Sequence, residues 1–110
     1  MFSKNSPNGY LSPLPGIAQK TLAYGKKTLM AEFRLEKGSN LPQHRHPHEQ
    51  TGYLVSGRIR LIIGGKAHDC EPGDSWCIPA DIEHGADIIE DAVAVEVFAP
   101  VRQEYIPGKA

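Results

Sequence analysis

An all-β sandwich or barrel is the fold class this sequence predicts, on three observations. Short runs in which apolar and polar residues alternate recur along most of the chain. Turn-forming clusters separate them at Lys37-Gly38, Ser56-Gly57, Gly64-Gly65 and Glu71-Pro72-Gly73-Asp74. The 11 Gly and 9 Pro are scattered through 110 residues, so a long helical bundle has no uninterrupted stretch to occupy. The length is that of one domain and is sufficient to fold without a disulfide or a structural metal. With 40% hydrophobic and 23% charged residues, the chain is not disordered throughout.

The elements follow in order. Residues Met1 to Gly16 are rich in Ser, Asn, Pro and Gly, and Pro7, Pro13 and Pro15 exclude a helix there. This reads as an arm, residues 1–18, disordered by itself or laid along a sheet edge or a partner subunit. The barrel proper is expected over 19–107. Thr28 to Leu35 alternates, with Leu29, Ala31, Phe33 and Leu35 on one face and Met30, Glu32 and Arg34 on the other. Gln50 to Val55 and Arg58 to Ile63 flank Ser56-Gly57, which reads as a hairpin turn. Lys66 to Cys70 is a short return strand after Gly64-Gly65. Ser75 to Ile78 follows the Glu71 to Asp74 turn, and Pro79-Ala80-Asp81 is a loop. His84 to Ile89 and Ala92 to Phe98 are the last two strands, and Arg102 to Ile106 is a patch of helical character too short to matter.

Charge narrows the function classes. The net charge is −1 and the basic residues are dispersed, which argues against a nucleic-acid footprint and a polybasic membrane anchor. No stretch approaches the roughly 20 apolar residues that span a bilayer, and no signal peptide is visible at the start. Cys70 and Cys77 make no disulfide framework and read as reduced thiols of a cytoplasmic protein.

The strongest chemical signal is a histidine cluster. His44, His46 and His48 fall in one window, followed by Glu49 and Gln50. On a strand, His44 and His46 share a face with Cα atoms about 6.6 Å apart, so both imidazoles can close on one metal ion. Gln50 has the same parity and offers a neutral oxygen, and His84 on a later strand offers a fourth ligand. Pro47 interrupts the alternation, so His48 and Glu49 stay open as ligands on this reading. Glu96 is the second unusual residue. It interrupts Ala92-Val93-Ala94-Val95-Glu96-Val97-Phe98 and shares a face with Ala94 and Phe98. If that face lines the barrel, its carboxylate is partly desolvated and suits acid/base work; otherwise it is an ordinary solvated acid. Phe98 and Tyr53 are the aromatic candidates for a sugar platform, although both, like Trp76, also read as core.

Gly38-x5-His44-x-His46-x3-Gln50-x6-Gly57 resembles the first cupin motif, with Gln50 in place of the usual acid. Gly73-x5-Pro79-x4-His84 resembles the second, although its closing Asn would fall at Ile88 and Asp81 stands where Gly is common. The resemblance covers about Gln19 to Tyr105 and implies a single-domain jelly-roll barrel. His46-Pro47-His48-Glu49-Gln50, Tyr53-Leu54-Val55-Ser56-Gly57 and Val95 to Pro100 followed by Arg102 are more narrowly similar to the small KdgF-like cupins. Those proteins linearise unsaturated uronates released by pectin and alginate lyases.

That resemblance implies a metal held by His44, His46, Gln50 and His84. It implies a catalytic pair, a carboxylate at Glu96, where the family usually has Asp, and Arg102, which also binds the substrate, with Phe98 between them. The implied cofactor is one divalent transition metal ion, Zn, Ni, Mn, Fe or Co. Three imidazoles and an amide would leave its full charge to act as a Lewis acid. The implied partner is a small sugar acid, and small cupins of this kind resemble homodimers with exchanged N-terminal strands. The competing readings are an iron-dependent dioxygenase on the same fold, a non-catalytic small-acid-binding module and a purely structural barrel.

Overall fold

A computed structural model describes residues 1–108 of the chain. The alternating stretch ending at Leu35 forms strand β3 (Leu29–Leu35), with Leu29, Ala31 and Leu35 buried and Met30 and Arg34 outside. It pairs antiparallel on one side with β2 (Ile17–Tyr24), and β2 with the edge strand β1 (Leu11–Leu14). The N-terminal segment therefore lies along a sheet edge of its own chain. Tyr10 donates from its hydroxyl to Glu32, and the Arg34 guanidinium stacks 4.3 Å from its ring centroid.

Two long strands form the spine. The stretch expected as a hairpin around Ser56-Gly57 is instead one continuous strand, β5 (Glu49–Ile63), and the two expected last strands are likewise one, β8 (His84–Ala99). They pair with each other along most of their length, from Glu49 opposite Ala99 to Ile63 opposite His84. The Gly57 signal marks a bulge and not a reversal: the β5–β8 register shifts between Leu54 and Ile59. Gly57 has φ +83°, and a Cβ there would lie 2.1 Å from the Asp91 carbonyl oxygen. The bulge also switches the inward parity of β5. Gln50, Gly52 and Leu54 are buried before it, and Ile59 and Leu61 after it.

The shifted register lets each long strand serve two sheets. The N-terminal half of β5 and the C-terminal half of β8 continue the β1-β2-β3 sheet, closed on the far side by β7 (Ser75–Ile78). Their other halves sit between β4 (Asn40–His44) and β6 (Lys66–Cys70). This is an all-β antiparallel jelly roll, and the expected patch of helical character is a single 3-10 turn at Gln103–Tyr105. Phe98, Ile17, Leu29, Leu54 and Ile78 are fully buried, each stabilising the fold by about 1.5–3 kcal/mol. The other buried side chains include four polar ones, Gln19, His46, Gln50 and His84, three of them residues the sequence marks as metal ligands.

Candidate metal centre

The three histidines reach one point from different elements. His44 is the last residue of β4 and lies directly opposite His84, the first residue of β8. His46 does not lie on the expected strand. The strand ends at His44, and His46 sits in the loop before β5, where Pro47 bends the chain and the His46 carbonyl accepts the Asp81 amide at 2.8 Å. The rings nevertheless cluster, with centroids 4.3 Å apart for His44 and His84, 4.9 Å for His46 and His84 and 5.6 Å for His44 and His46. One ligand atom from each lies within 4.8 Å of the others.

The tautomers are fixed by the backbone. His44 Nδ1 donates to the Pro42 carbonyl at 2.9 Å, His46 Nδ1 to the His48 carbonyl at 3.1 Å and His84 Nδ1 to the Ile82 carbonyl at 2.8 Å. A carbonyl can only accept, so each Nδ1 carries a proton, and the lone pair of the neutral ring lies on Nε2. This is the arrangement by which proteins orient imidazole ligands. His84 Nε2 is buried without a hydrogen-bond partner, which is costly unless something else uses the lone pair. Burial first, then the positive charge of Arg102 and the neighbouring histidine His84, holds His46 down at about 4. Burial likewise lowers His84. Both rings are neutral at physiological pH, as ligation requires.

Gln50, on the first turn inward of β5, adds an oxygen. Its Oε1 lies 2.8 Å from His46 Nε2, and its Nε2 donates to Glu96 Oε2 at 2.5 Å. The carboxylate thus sets the amide orientation. Two acceptors, Oε1 and a neutral imidazole lone pair, then face each other at hydrogen-bond distance, and a cation ligated by both removes that conflict. The donor set of three imidazole nitrogens and one amide oxygen fits a divalent transition ion.

Glu96 lies on the inward face of β8, with Ala94 and Phe98, and its other oxygen accepts the Trp76 indole N–H at 2.7 Å. Burial raises its carboxyl above the ordinary range, while the hydrogen bonds from Trp76 and Gln50 and the Arg102 charge oppose that rise. Arg102 follows β8 and is stacked between two rings, 5.1 Å from the Phe98 centroid and 4.4 Å from that of Tyr105. Its Nε bonds Glu104 at 2.6 Å. A cavity of about 70 Å³ is lined by His44, Gln50, His84, Glu96, Phe98 and Arg102, among others. A second cavity of about 290 Å³ shares His44, Arg102 and Tyr105 with it and extends to Pro13, Leu14 and Pro42.

Six of the eight candidate site residues therefore line the inner cavity, His46 joins them through His44, His84 and Gln50, and Tyr53 does not. It has the opposite parity to Gln50 and Gly52 on β5, so it faces outward and is half exposed. His48 and Glu49 are outside the three-histidine cluster, although His48 Nδ1 is buried without a partner. Trp76 packs against the core as the sequence predicts, and its indole N–H also binds Glu96, which the sequence did not indicate. The alternation of Ser75 to Ile78 puts Trp76 inward, but only the register of β7 on β5 shows what it reaches.

The cupin domain family matches residues 31–99. The chain belongs to the cupin family. Among curated proteins this cupin is similar to the pectin degradation protein KdgF of Dickeya dadantii (strain 3937). The two are 25% identical over 93 residues, which is 83% of this chain and 84% of that protein. Among solved structures it is similar to KdgF from Halomonas sp. at a TM-score of 0.90 and 27% identity, covering 96% of this cupin and 98% of that chain. An RmlC-like cupin from Shewanella frigidimarina NCIMB 400 superposes equally well, with a TM-score of 0.90, 23% identity and coverage of 96% and 95%. That second likeness speaks to the fold alone.

Proposed function

We propose that this cupin is a metal-dependent enzyme that opens the ring of 4,5-unsaturated uronates. The observation that carries the reading is the pairing of a three-histidine, one-amide donor set with a desolvated carboxylate held against that amide. The KdgF relatives support it at the level of substrate class. His44, His46, His84 and Gln50 would hold one divalent ion, which when bound supplies Lewis acidity toward substrate oxygens. Arg102, fixed by two aromatic rings and Glu104, orients the substrate carboxylate through its terminal amino groups. The inner cavity receives the reacting edge, and the outer one has room for the rest of a small sugar acid.

Glu96 then moves one proton. As a carboxylate accepting two N–H bonds it is poised as a base. It takes the anomeric hydroxyl proton while the bond from the anomeric carbon to the ring oxygen breaks, leaving an aldehyde and an enolate. It returns the proton to C4, and the enolate becomes a ketone at C5. Nothing is oxidised and no co-reactant is consumed, so the step is an isomerisation.

The test is loss of the ring double bond of 4,5-unsaturated galacturonate, followed in the ultraviolet. Loss that needs metal and is stopped by chelation supports the reading. Loss at the spontaneous rate with fully metal-loaded protein rejects it. We read residues 19–107 as the barrel that carries this chemistry, residues 1–18 as an arm whose β1 and first β2 residues lie on the barrel's own sheet, and the assembly as a homodimer in the cytoplasm. The outward face of β3 and β5, where Met30, Tyr53 and Val55 are exposed, is the surface we assign to the second copy.

A further inference from the structure

Three residues from three adjacent strands lie in line beneath the metal centre. Trp76 on β7 is in register with Gly52 on β5, and Gly52 with Glu96 on β8. Side chains two strands apart are separated by roughly 9.6 Å of backbone, and the residue between them normally fills the gap. Here the middle residue is glycine. A Cβ on Gly52 would lie 2.2 Å from Trp76 Nε1, 2.3 Å from Cε2 and 2.5 Å from Cζ2, a place the indole already occupies. Gly52 is not in the left-handed region, so the backbone does not require glycine; the ring above it does. The indole crosses the bare backbone and its N–H reaches Glu96 Oε1 at 2.7 Å.

Glu96 is thereby held at both ends. Oε1 takes the Trp76 N–H and Oε2 takes the Gln50 amide N–H at 2.5 Å. A Gln50 amide turned over would set its oxygen against the carboxylate, so Glu96 keeps Gln50 Oε1 on the side of His46 Nε2, 2.8 Å away. Removing the indole donor frees the carboxylate to rotate, and Gln50 loses the anchor that aims its oxygen.

We propose that Trp76 is a positioning residue, its indole N–H laid across Gly52 to clamp Glu96 and, through Glu96, to aim the Gln50 oxygen into the metal centre. This rests on the metal-site reading above and, for its kinetic arm alone, on the uronate reaction.

The chain has one tryptophan, so the protein gives a single indole N–H cross-peak in a 1H–15N spectrum. That peak should lie downfield of a free indole in the metal-free protein and move on Glu96→Gln. Zinc affinity, measured by competition with a chromophoric chelator, should fall about tenfold in Trp76→Phe, the loss typical of a partner lying behind a ligand. Gly52→Ala should weaken zinc similarly although the tryptophan is still present, because the ring is displaced. With unsaturated galacturonate, Trp76→Phe should lower kcat about tenfold and leave KM within twofold. If Trp76→Phe does not fold, Gly52→Ala and the wild-type peak decide. A peak indifferent to Glu96→Gln overturns the proposal, as does zinc affinity within twofold of wild type in the folded variants or a loss confined to KM. Absence of uronate turnover in the wild type would reject the substrate reading instead, and the peak and the zinc affinity would still decide the role of Trp76.

Discussion

At the scale of single residues, the chemistry rests on Glu96 and the three histidines. Glu96→Gln keeps the shape of the side chain and removes the proton carrier. We expect kcat to fall at least about 10²-fold with one equivalent of metal still bound, as measured by turnover and metal analysis on the same sample. Retained turnover would remove Glu96 from the mechanism. The histidines make a pH prediction. Burial holds His46 at about 4 in the folded, metal-free chain and lowers His84, whereas in the unfolded chain an imidazole titrates near 6.5. Between those values the unfolded state binds more protons, so stability rises with pH. The two histidines therefore contribute stability that is full above pH 6.5 and lost progressively as pH falls toward 4, against the opposite slope of the raised Glu96 carboxyl. Urea midpoints measured with chelator across that window check the sign. His84→Ala should flatten the slope and abolish stoichiometric metal binding.

At the scale of elements, the bulge in β5 decides where the site residues point. Its register shift brings Gln50 and Gly52 inward on one side and Ile59 and Leu61 inward on the other. Gly57→Ala puts a Cβ 2.1 Å from the Asp91 carbonyl oxygen at φ +83°. We expect it to cost about 2–3 kcal/mol or more, read as a lower urea midpoint, with metal affinity falling because Gln50 and His84 lie on the two strands that shift.

This element also shows what was legible in the sequence. The alternation of β3 and the shared face of Ala94, Glu96 and Phe98 were readable, because side-chain parity is local. Ser56-Gly57 and Ile89 to Ala92 read as strand ends because a glycine at positive φ serves a bulge as well as a turn, and only the partner strand tells them apart. His44 and His46 were paired correctly for the wrong reason, since His46 lies in a loop and is aimed by its bond to the His48 carbonyl. Asp81, standing where the motif commonly has Gly, does adopt a left-handed backbone at φ +63°, which Asp tolerates better than most residues. Tyr53 stands one step out of phase with Gln50 and Gly52 and so faces outward; Trp76 was legible as core, but its bond to Glu96 was not, because the two lie on strands separated by β5.

At the scale of the whole molecule, metal and fold are linked. An ion that binds the folded chain alone should stabilise it by about 2.7 kcal/mol at a hundredfold excess over Kd. Thermal scans with and without chelator should show a raised midpoint with metal, and His84→Ala should not respond. The exposed Met30, Tyr53 and Val55 predict a dimer by sedimentation velocity and a monomer after Tyr53→Lys; an unchanged wild-type monomer would remove that surface from the assembly.

The most direct measurement is the reaction run in deuterated water with metal-loaded protein and 4,5-unsaturated galacturonate, followed by proton NMR. Ring opening by a fixed Glu96 predicts an open-chain keto product carrying one deuterium at C4, delivered to one face, at a rate that Glu96→Gln and chelation both abolish. Product formed at the spontaneous rate, with deuterium spread over both faces, would contradict it.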